Sequence, residues 1–358
     1  MTVRVGIVGV GTIGLEHVRR LHQRVSGAEV VAVADVDVAR AERVASEVPG
    51  ARVFPSGQEL IRTEDVDGVV VASWGPSHEE LVLAAIEQGK PVFCEKPLAP
   101  TADACLRILD AEMAHGRRLV QVGFMRRYDA GYLAMKRAVD DGTIGAPLMV
   151  HCAHRNASTP ARGFTSDMLI TDAAIHEIDL MRWLLSQEIA AVNAVLRPRR
   201  PIHVDPELQD PQILILEMAD GAIVDVEIFV NCSYGYDIRC EVVGELGTVE
   251  LGEGYGAVVR GGGLRSGRVP PDWRERFMQA YDVELRSGWM AWRPARRAGR
   301  TRGMATWRRL WRSAGWSRCD PASVCRSPRS SVLTPTVPAL DESSRTGRSE
   351  RTGGGRPG

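Results

Sequence analysis

The chain is predicted to be an α/β protein: a doubly wound parallel sheet followed by an α+β domain with a mainly antiparallel sheet. Three observations carry this. Apolar β-branched runs alternate with helical patterns over the first 125 residues. A glycine-spaced turn sits where the first such run meets the first helix. From residue 189 onward, strand-like runs follow one another with only turns between them.

In the first half the apolar runs fall at 3–8, 29–34, 68–72, 91–94 and 119–123, with helical patterns such as Glu79 to Gln88 and Thr101 to His115 between them. The runs are continuous rather than alternating, as expected of strands covered on both faces. Gly9-x-Gly11-x-x-Gly14 closes the first strand and opens a helix, which makes the sheet Rossmann-like. The first glycine permits the turn, the second lets backbone approach a pyrophosphate, and the third lets helix and strand pack closely. The helix start at Thr12 and Ile13 then offers amides and a positive dipole end to phosphates. Asp35, 21 residues after Gly14, stands at the end of the second strand, where a carboxylate holds the ribose hydroxyls. It repels a 2′-phosphate, so NAD is expected rather than NADP, although Asp37 and Arg40 leave the strictness of that choice open.

Ligands of open α/β sheets lie beyond the carboxyl ends of the strands. The segment after the fourth strand, with Ser73, Trp74 and His78, should therefore border the cofactor. Glu95-Lys96-Pro97 lies on the same edge after the fifth strand, and Pro97 restricts the backbone of Lys96. Lys96 is one of three lysines, with Lys90 and Lys136, among 45 basic residues. A chain that uses arginine for surface charge keeps a lysine where a compact donor is needed; a surviving loop charge is the plainer alternative.

The second half opens at about residue 147. A helical segment from Asp172 to Leu185 precedes strand-like runs at 189–196, 212–218, 222–230, 237–243 and 247–251. Asp172 and His176, four apart, share a helix face. Either Asp172 caps the helix while His176 packs in the core, or the carboxylate orients an imidazole that takes a proton. The dinucleotide motif favours the second, because oxidising an alcohol needs a base as hydride leaves. Met125 and Arg126 follow the sixth strand. Strand alternation puts His154 and Asn156 on one face, and Tyr234 and Tyr236 lie in a turn. These six residues are candidate substrate contacts, although a polar strand end or turn is the commoner explanation for each.

Composition narrows the remaining classes. Residues 1–287 carry 30 basic and 41 acidic residues, a net of −11, which argues against nucleic acid as partner. No apolar stretch has the length of a membrane span, and Met1 leads straight into a strand without a signal-peptide pattern. The seven cysteines contain no Cys-x-x-Cys pair, so reduced thiols in a cytoplasmic protein are expected, and no metal site.

Together these residues resemble the Gfo/Idh/MocA oxidoreductase family. Its glycine motif, Glu-Lys-Pro motif and Asp-x-x-x-His pair stand here at 9–14, 95–97 and 172–176. Its inositol-oxidising branch is matched by Ala72-Ser73-Trp74-Gly75-Pro76, Gln121 to Asp129, His151 to Asn156, His176-Glu177-Ile178-Asp179 and Tyr234-Gly235-Tyr236-Asp237. The resemblance covers about residues 1–287. It implies oxidation of myo-inositol by NAD⁺ to 2-keto-myo-inositol, with His176 as general base, Asp172 orienting it, and Lys96 on the reacting oxygen. It also implies a homotetramer packed through the second domain's sheet. Another cyclic polyol or sugar dehydrogenase, or an NAD-binding protein impaired by its altered C-terminus, are the alternatives.

The expected organisation is thus an NAD-binding domain at 1–125, a substrate and oligomerisation domain at 126–287, and a poorly ordered tail at 288–358. That tail holds 15 arginines, no lysine and four acids, and five of the eight tryptophans fall within 289–316. Residues 299–311, back-translated with GC-rich codons and shifted by one base, permit the reading PDAWDGYVAAAV, which is similar to the family's continuation. The tail therefore reads as a frameshift product.

Overall fold

The computed structural model describes residues 2–159, 163–201, 203–252 and 259–292. The expectations for the tail beyond residue 292 lie outside the described residues. Strands β1 (Val3–Val8), β2 (Ala28–Ala34), β3 (Arg52–Val53), β4 (Gly68–Val71), β5 (Val92–Glu95) and β6 (Val120–Gly123) form one parallel sheet in the order β3-β2-β1-β4-β5-β6. The order reverses between β1 and β4, which opens a crevice at their carboxyl ends. Helices α1 (Thr12–Gln23), α2 (Val38–Ser46), α3 (Gly57–Arg62), α4 (His78–Glu87) and α5 (Ala102–His115) connect the strands. Their apolar faces and the two sheet faces make two cores, one around Leu60, Val69 and Ile108, the other around Val5, Val18 and Leu21.

A short 3₁₀ turn (Met125–Tyr128) and α6 (Ala130–Asp140) lead into the second sheet. It contains β7 (Pro147–Arg155), β8 (Ile189–Leu196), β9 (Gln212–Met218), β10 (Ile223–Phe229), β11 (Asp237–Gly244) and β12 (Thr248–Glu250), in the order β12-β11-β7-β10-β9-β8. Every pairing is antiparallel except β7 with β10. One face carries Val150, Cys152, Leu214, Leu216, Val224 and Val226, all buried with the third core.

The helix expected from Asp172 begins differently. Leu169–Ala174 is wound as a π-helix, and α7 runs from Ile175 to Leu184. Single π turns inside helices recur at functional sites. A last helix, α8 (Trp273–Trp292), was not foreseen. Phe277, Ala280, Tyr281, Glu284 and Leu285 form its buried stripe. It ties the two halves together. Arg276 holds Asp129 at 2.7 Å ahead of α6, Asp282 meets Arg20 of α1 at 3.3 Å, and Leu285 belongs to the core of the parallel sheet.

Cys94, Cys152, Cys232 and Cys240 are free thiols, as expected.

Candidate active site

The glycine turn is built as the motif demands. Gly9 has φ +86°, and a Cβ there would meet the Ser73 backbone at 2.4 Å, so only glycine lets this turn reach the loop after β4. A Cβ on Gly14 would stand 1.9 Å from the Gly9 carbonyl oxygen. Gly11 differs: nothing lies within 4 Å of its Cβ position. That open side faces the start of α1, where Thr12 is exposed and no side chain caps the helix. The uncapped amides and the open space beside Gly11 fit a dinucleotide's pyrophosphate. Asp35 closes the crevice. Its carboxylate accepts from the Val10 amide at 2.8 Å and the Asp37 amide at 2.9 Å, with Arg40 at 3.4 Å.

Two expected cofactor contacts turn out to be internal braces. His78 is buried, with one ring nitrogen on the Pro97 carbonyl at 2.7 Å and the other on the Ser73 carbonyl at 3.0 Å, so its ring joins the two loops of the carboxyl edge. Glu95 is buried as well. It pairs with His17 of α1 at 2.7 Å and accepts from the Lys96 amide at 3.2 Å. Both nitrogens of His78 and both oxygens of Glu95 are therefore taken by protein. Ser73 bonds Ser77 at 2.7 Å, and Trp74 stands out into solvent.

Beyond this edge the second domain delivers its own groups. Lys96 Nζ donates to Asp172 Oδ1 at 2.6 Å and to the Asp172 carbonyl at 3.1 Å. The expectation that Asp172 orients His176 needs correction. The carboxylate is turned to the ammonium, and among the described residues Nδ1 of His176 is buried without a partner. The surroundings of His176 also do the reverse of stabilising its cation. Burial, then the charges of Arg126 and Lys96, push its pKa well below 6.5 and keep the ring neutral. Phe124 lies edge-on to this ring at 6.3 Å, and His154 lies 6.2 Å away.

The candidate substrate residues divide. His154 and Tyr236 are buried with their rings 6.2 Å apart. Arg126 is also buried, but as the partner of Glu177 rather than as an open cation. Burial alone would lower its pKa, and the Glu177 carboxylate reverses that. Asn156 is partly buried, and its Oδ1 has no partner among the described residues. Met125 belongs to the core of the second domain. Tyr234 is half exposed, its hydroxyl donating to Asp237 at 2.6 Å and accepting from Arg155 at 3.1 Å. Strict alternation would put 234 and 236 on one face; Gly235 between them, at φ +144°, breaks it, and only Tyr236 is buried.

Glu177, buried beside the same site and paired with Arg126, was not among the candidate residues. An acid beside the candidate base was visible in the sequence, but its burial was not, and its partner Arg126 lies 51 positions away, beyond the reach of helical spacing. Among the described residues no group of three or more metal-ligating side chains occurs.

Comparison with known proteins agrees with this geometry. Residues 3–124 match the model of the GFO/IDH/MocA oxidoreductase family, NAD-binding Rossmann fold, and residues 132–250 match the GFO/IDH/MocA C-terminal domain. The chain is 56% identical over 287 residues to inositol 2-dehydrogenase 3 of Saccharopolyspora erythraea, covering 80% of this chain and 84% of that one. It is 48% identical over 341 residues to inositol 2-dehydrogenase of Burkholderia vietnamiensis, covering 95% and 98%. Among solved structures, myo-inositol dehydrogenase from Lactobacillus casei in complex with NAD(H) and myo-inositol superposes with a TM-score of 0.80 at 36% identity, covering 91% of this chain and 92% of that one. Scyllo-inositol dehydrogenase from the same organism shares the fold, with a TM-score of 0.74 at 24% identity over 81% and 89%. A glycine cradle at a topological switch point, an acid at the ribose position and a lysine facing the second domain thus occur in a chain that belongs to the GFO/IDH/MocA oxidoreductase family and is an NAD-dependent dehydrogenase.

Proposed function

We propose that this chain oxidises myo-inositol to 2-keto-myo-inositol. The observation that carries the reading is the meeting of Lys96, held by Asp172, with a buried neutral His176 at the cofactor edge. Bound NAD⁺ supplies the hydride acceptor. The chain's own residues handle the proton and the charge. His176, neutral because burial and the charges of Arg126 and Lys96 disfavour its protonated form, takes the hydroxyl proton. Lys96 donates to the same oxygen as negative charge develops on it, and Asp172 fixes the ammonium there. His154 and Asn156 present polar atoms to the remaining ring hydroxyls. Asp35 favours NAD over its 2′-phosphate by charge.

The same reading gives a homo-oligomer assembled through the open face of the second sheet. It also places the enzyme in the cytoplasm, supported by the four free thiols. The test is a panel of myo-inositol, scyllo-inositol and hexoses with NAD⁺, followed by NADH absorbance, on this chain and on a frame-restored one. Turnover highest on myo-inositol is expected. NAD binding without turnover of any polyol by either chain would overturn the assignment.

A further inference from the structure

Beside the candidate base lies a desolvated triad whose chemistry the reaction does not by itself require. Arg126, His154 and Glu177 come from the turn after β6, from β7 and from α7, and each is at most 3% exposed. Arg126 Nη1 donates to Glu177 Oε1. His154 Nδ1 lies 3.0 Å from Glu177 Oε2 and 3.2 Å from Arg126 Nη2. Taking an ion pair out of water is costly unless its lone pairs are satisfied. Burial would raise the Glu177 pKa, yet Arg126 and His154 outweigh it and hold the acid ionised.

The nitrogen between carboxylate and guanidinium must choose. With a proton on Nδ1 it donates to Glu177. Without one it accepts from Arg126. Oε2 of Glu177 decides the matter, because among the described residues His154 is its sole hydrogen-bond donor. A bare Nδ1 would leave a buried carboxylate oxygen facing a lone pair, whereas Arg126 retains Glu177 as an acceptor in either case.

We propose that Glu177 is a positioning residue of the substrate pocket: anchored by Arg126, it holds the proton of His154 on Nδ1 and so leaves Nε2 as a lone-pair acceptor for a polyol hydroxyl. Nε2 makes no hydrogen bond among the described residues, and its ring lies 6.2 Å from that of His176. The pocket then contains two neutral imidazoles with separate tasks. One takes the reacting proton and the other accepts a hydrogen bond from a hydroxyl that keeps its own. A hydroxyl that must donate is read by such a site, and an analogue lacking it leaves a buried acceptor unpaired. This inference deepens the polyol reading and rests on it.

Two measurements test it on the full chain with NAD bound. In ¹⁵N-histidine-labelled protein, long-range ¹⁵N–¹H correlation, with His154 assigned by its loss in His154→Asn, should show a proton on Nδ1 and none on Nε2. A proton on Nε2 at the assay pH, in a neutral or a cationic ring, overturns the proposal. This spectrum needs neither turnover nor a variant of Glu177, so it remains decisive if the polyol reading fails or if Glu177→Gln does not fold. In folded Glu177→Gln, the KM for myo-inositol should rise about 10-fold or more, with a smaller change in kcat and an unchanged Kd for NAD. A KM left unchanged in that variant also overturns it.

Discussion

His176 and Lys96 divide the chemistry of one hydroxyl between them, and each can be tested alone. His176→Ala should keep its affinity for NAD, since nothing in the glycine turn depends on it, while turnover falls about 10²–10⁴-fold; isothermal titration with NAD beside steady-state rates separates the two. Lys96→Arg keeps the charge but brings a planar fork to a site where Nζ makes two bonds to one residue, the carboxylate and carbonyl of Asp172. Its kcat should fall on the order of 10²-fold, as when a donor to a developing oxyanion is lost. Full activity in that variant would reduce Lys96 to a charge. The pH dependence follows from the direction of the His176 shift. The folded ring resists protonation that the unfolded chain accepts near 6.5. The acid limb of kcat/KM therefore belongs below 6.5. The same depression makes His176 a stabilising group above the unfolded value, and that contribution is lost as pH falls through the lower folded one.

At the scale of elements, α8 carries the clearest liability. Glu284 is fully buried in its stripe, and among the described residues neither carboxylate oxygen has a partner. Burial first, and the charge of Glu95 second, raise its pKa well above 4.5. The native state binds this proton more tightly than the unfolded chain. The associated stability is complete below 4.5 and is lost as pH rises through the folded value. Glu284→Gln does not titrate, so its melting temperature should exceed that of the parent by a margin that grows with pH above 4.5, about 2–4 °C for each kcal/mol recovered. Equal melting curves from pH 5 to 8 would mean that the acid has found a partner. The same helix marks where the sequence ceased to be legible. The strands of the parallel sheet announced themselves as continuous apolar runs, and the glycine spacing located the cofactor edge. Two-residue β3 is too short for any period. In α8 the apolar stripe is interrupted by Glu284 and runs into the arginine- and tryptophan-rich segment, so its period is masked. The π turn at Leu169–Ala174 leaves no sequence period either. That turn bears Asp172, which sequence spacing paired with His176 and the folded chain pairs with Lys96.

At the scale of the whole molecule, among the described residues one face of the second sheet has no core packed against it. Along β9 and β10 alternate residues enter the core, and the residues between them, Ile213, Ile215, Ile223 and Phe229, remain partly exposed. Register aligns Ile223 with Met149, which is 45% exposed, and sets Asp225 between Ile215 and His151, to whose ring it is hydrogen-bonded. A mixed apolar and polar surface of this kind suits a second copy of the same sheet, because a two-fold axis pairs each row with its own equivalent. Single apolar residues on a surface need no explanation, but a contiguous row across two strands does. Charges placed in that row should be tolerated by an isolated sheet, whose core lies on the other face, and rejected by an interface. Light scattering of the frame-restored chain should therefore give a multiple of the monomer mass. Met149→Glu combined with Ile223→Glu should return the monomer with an unchanged far-ultraviolet circular dichroism spectrum. A parent already monomeric, or a double variant that keeps the parent's mass, would remove this face as the assembly surface.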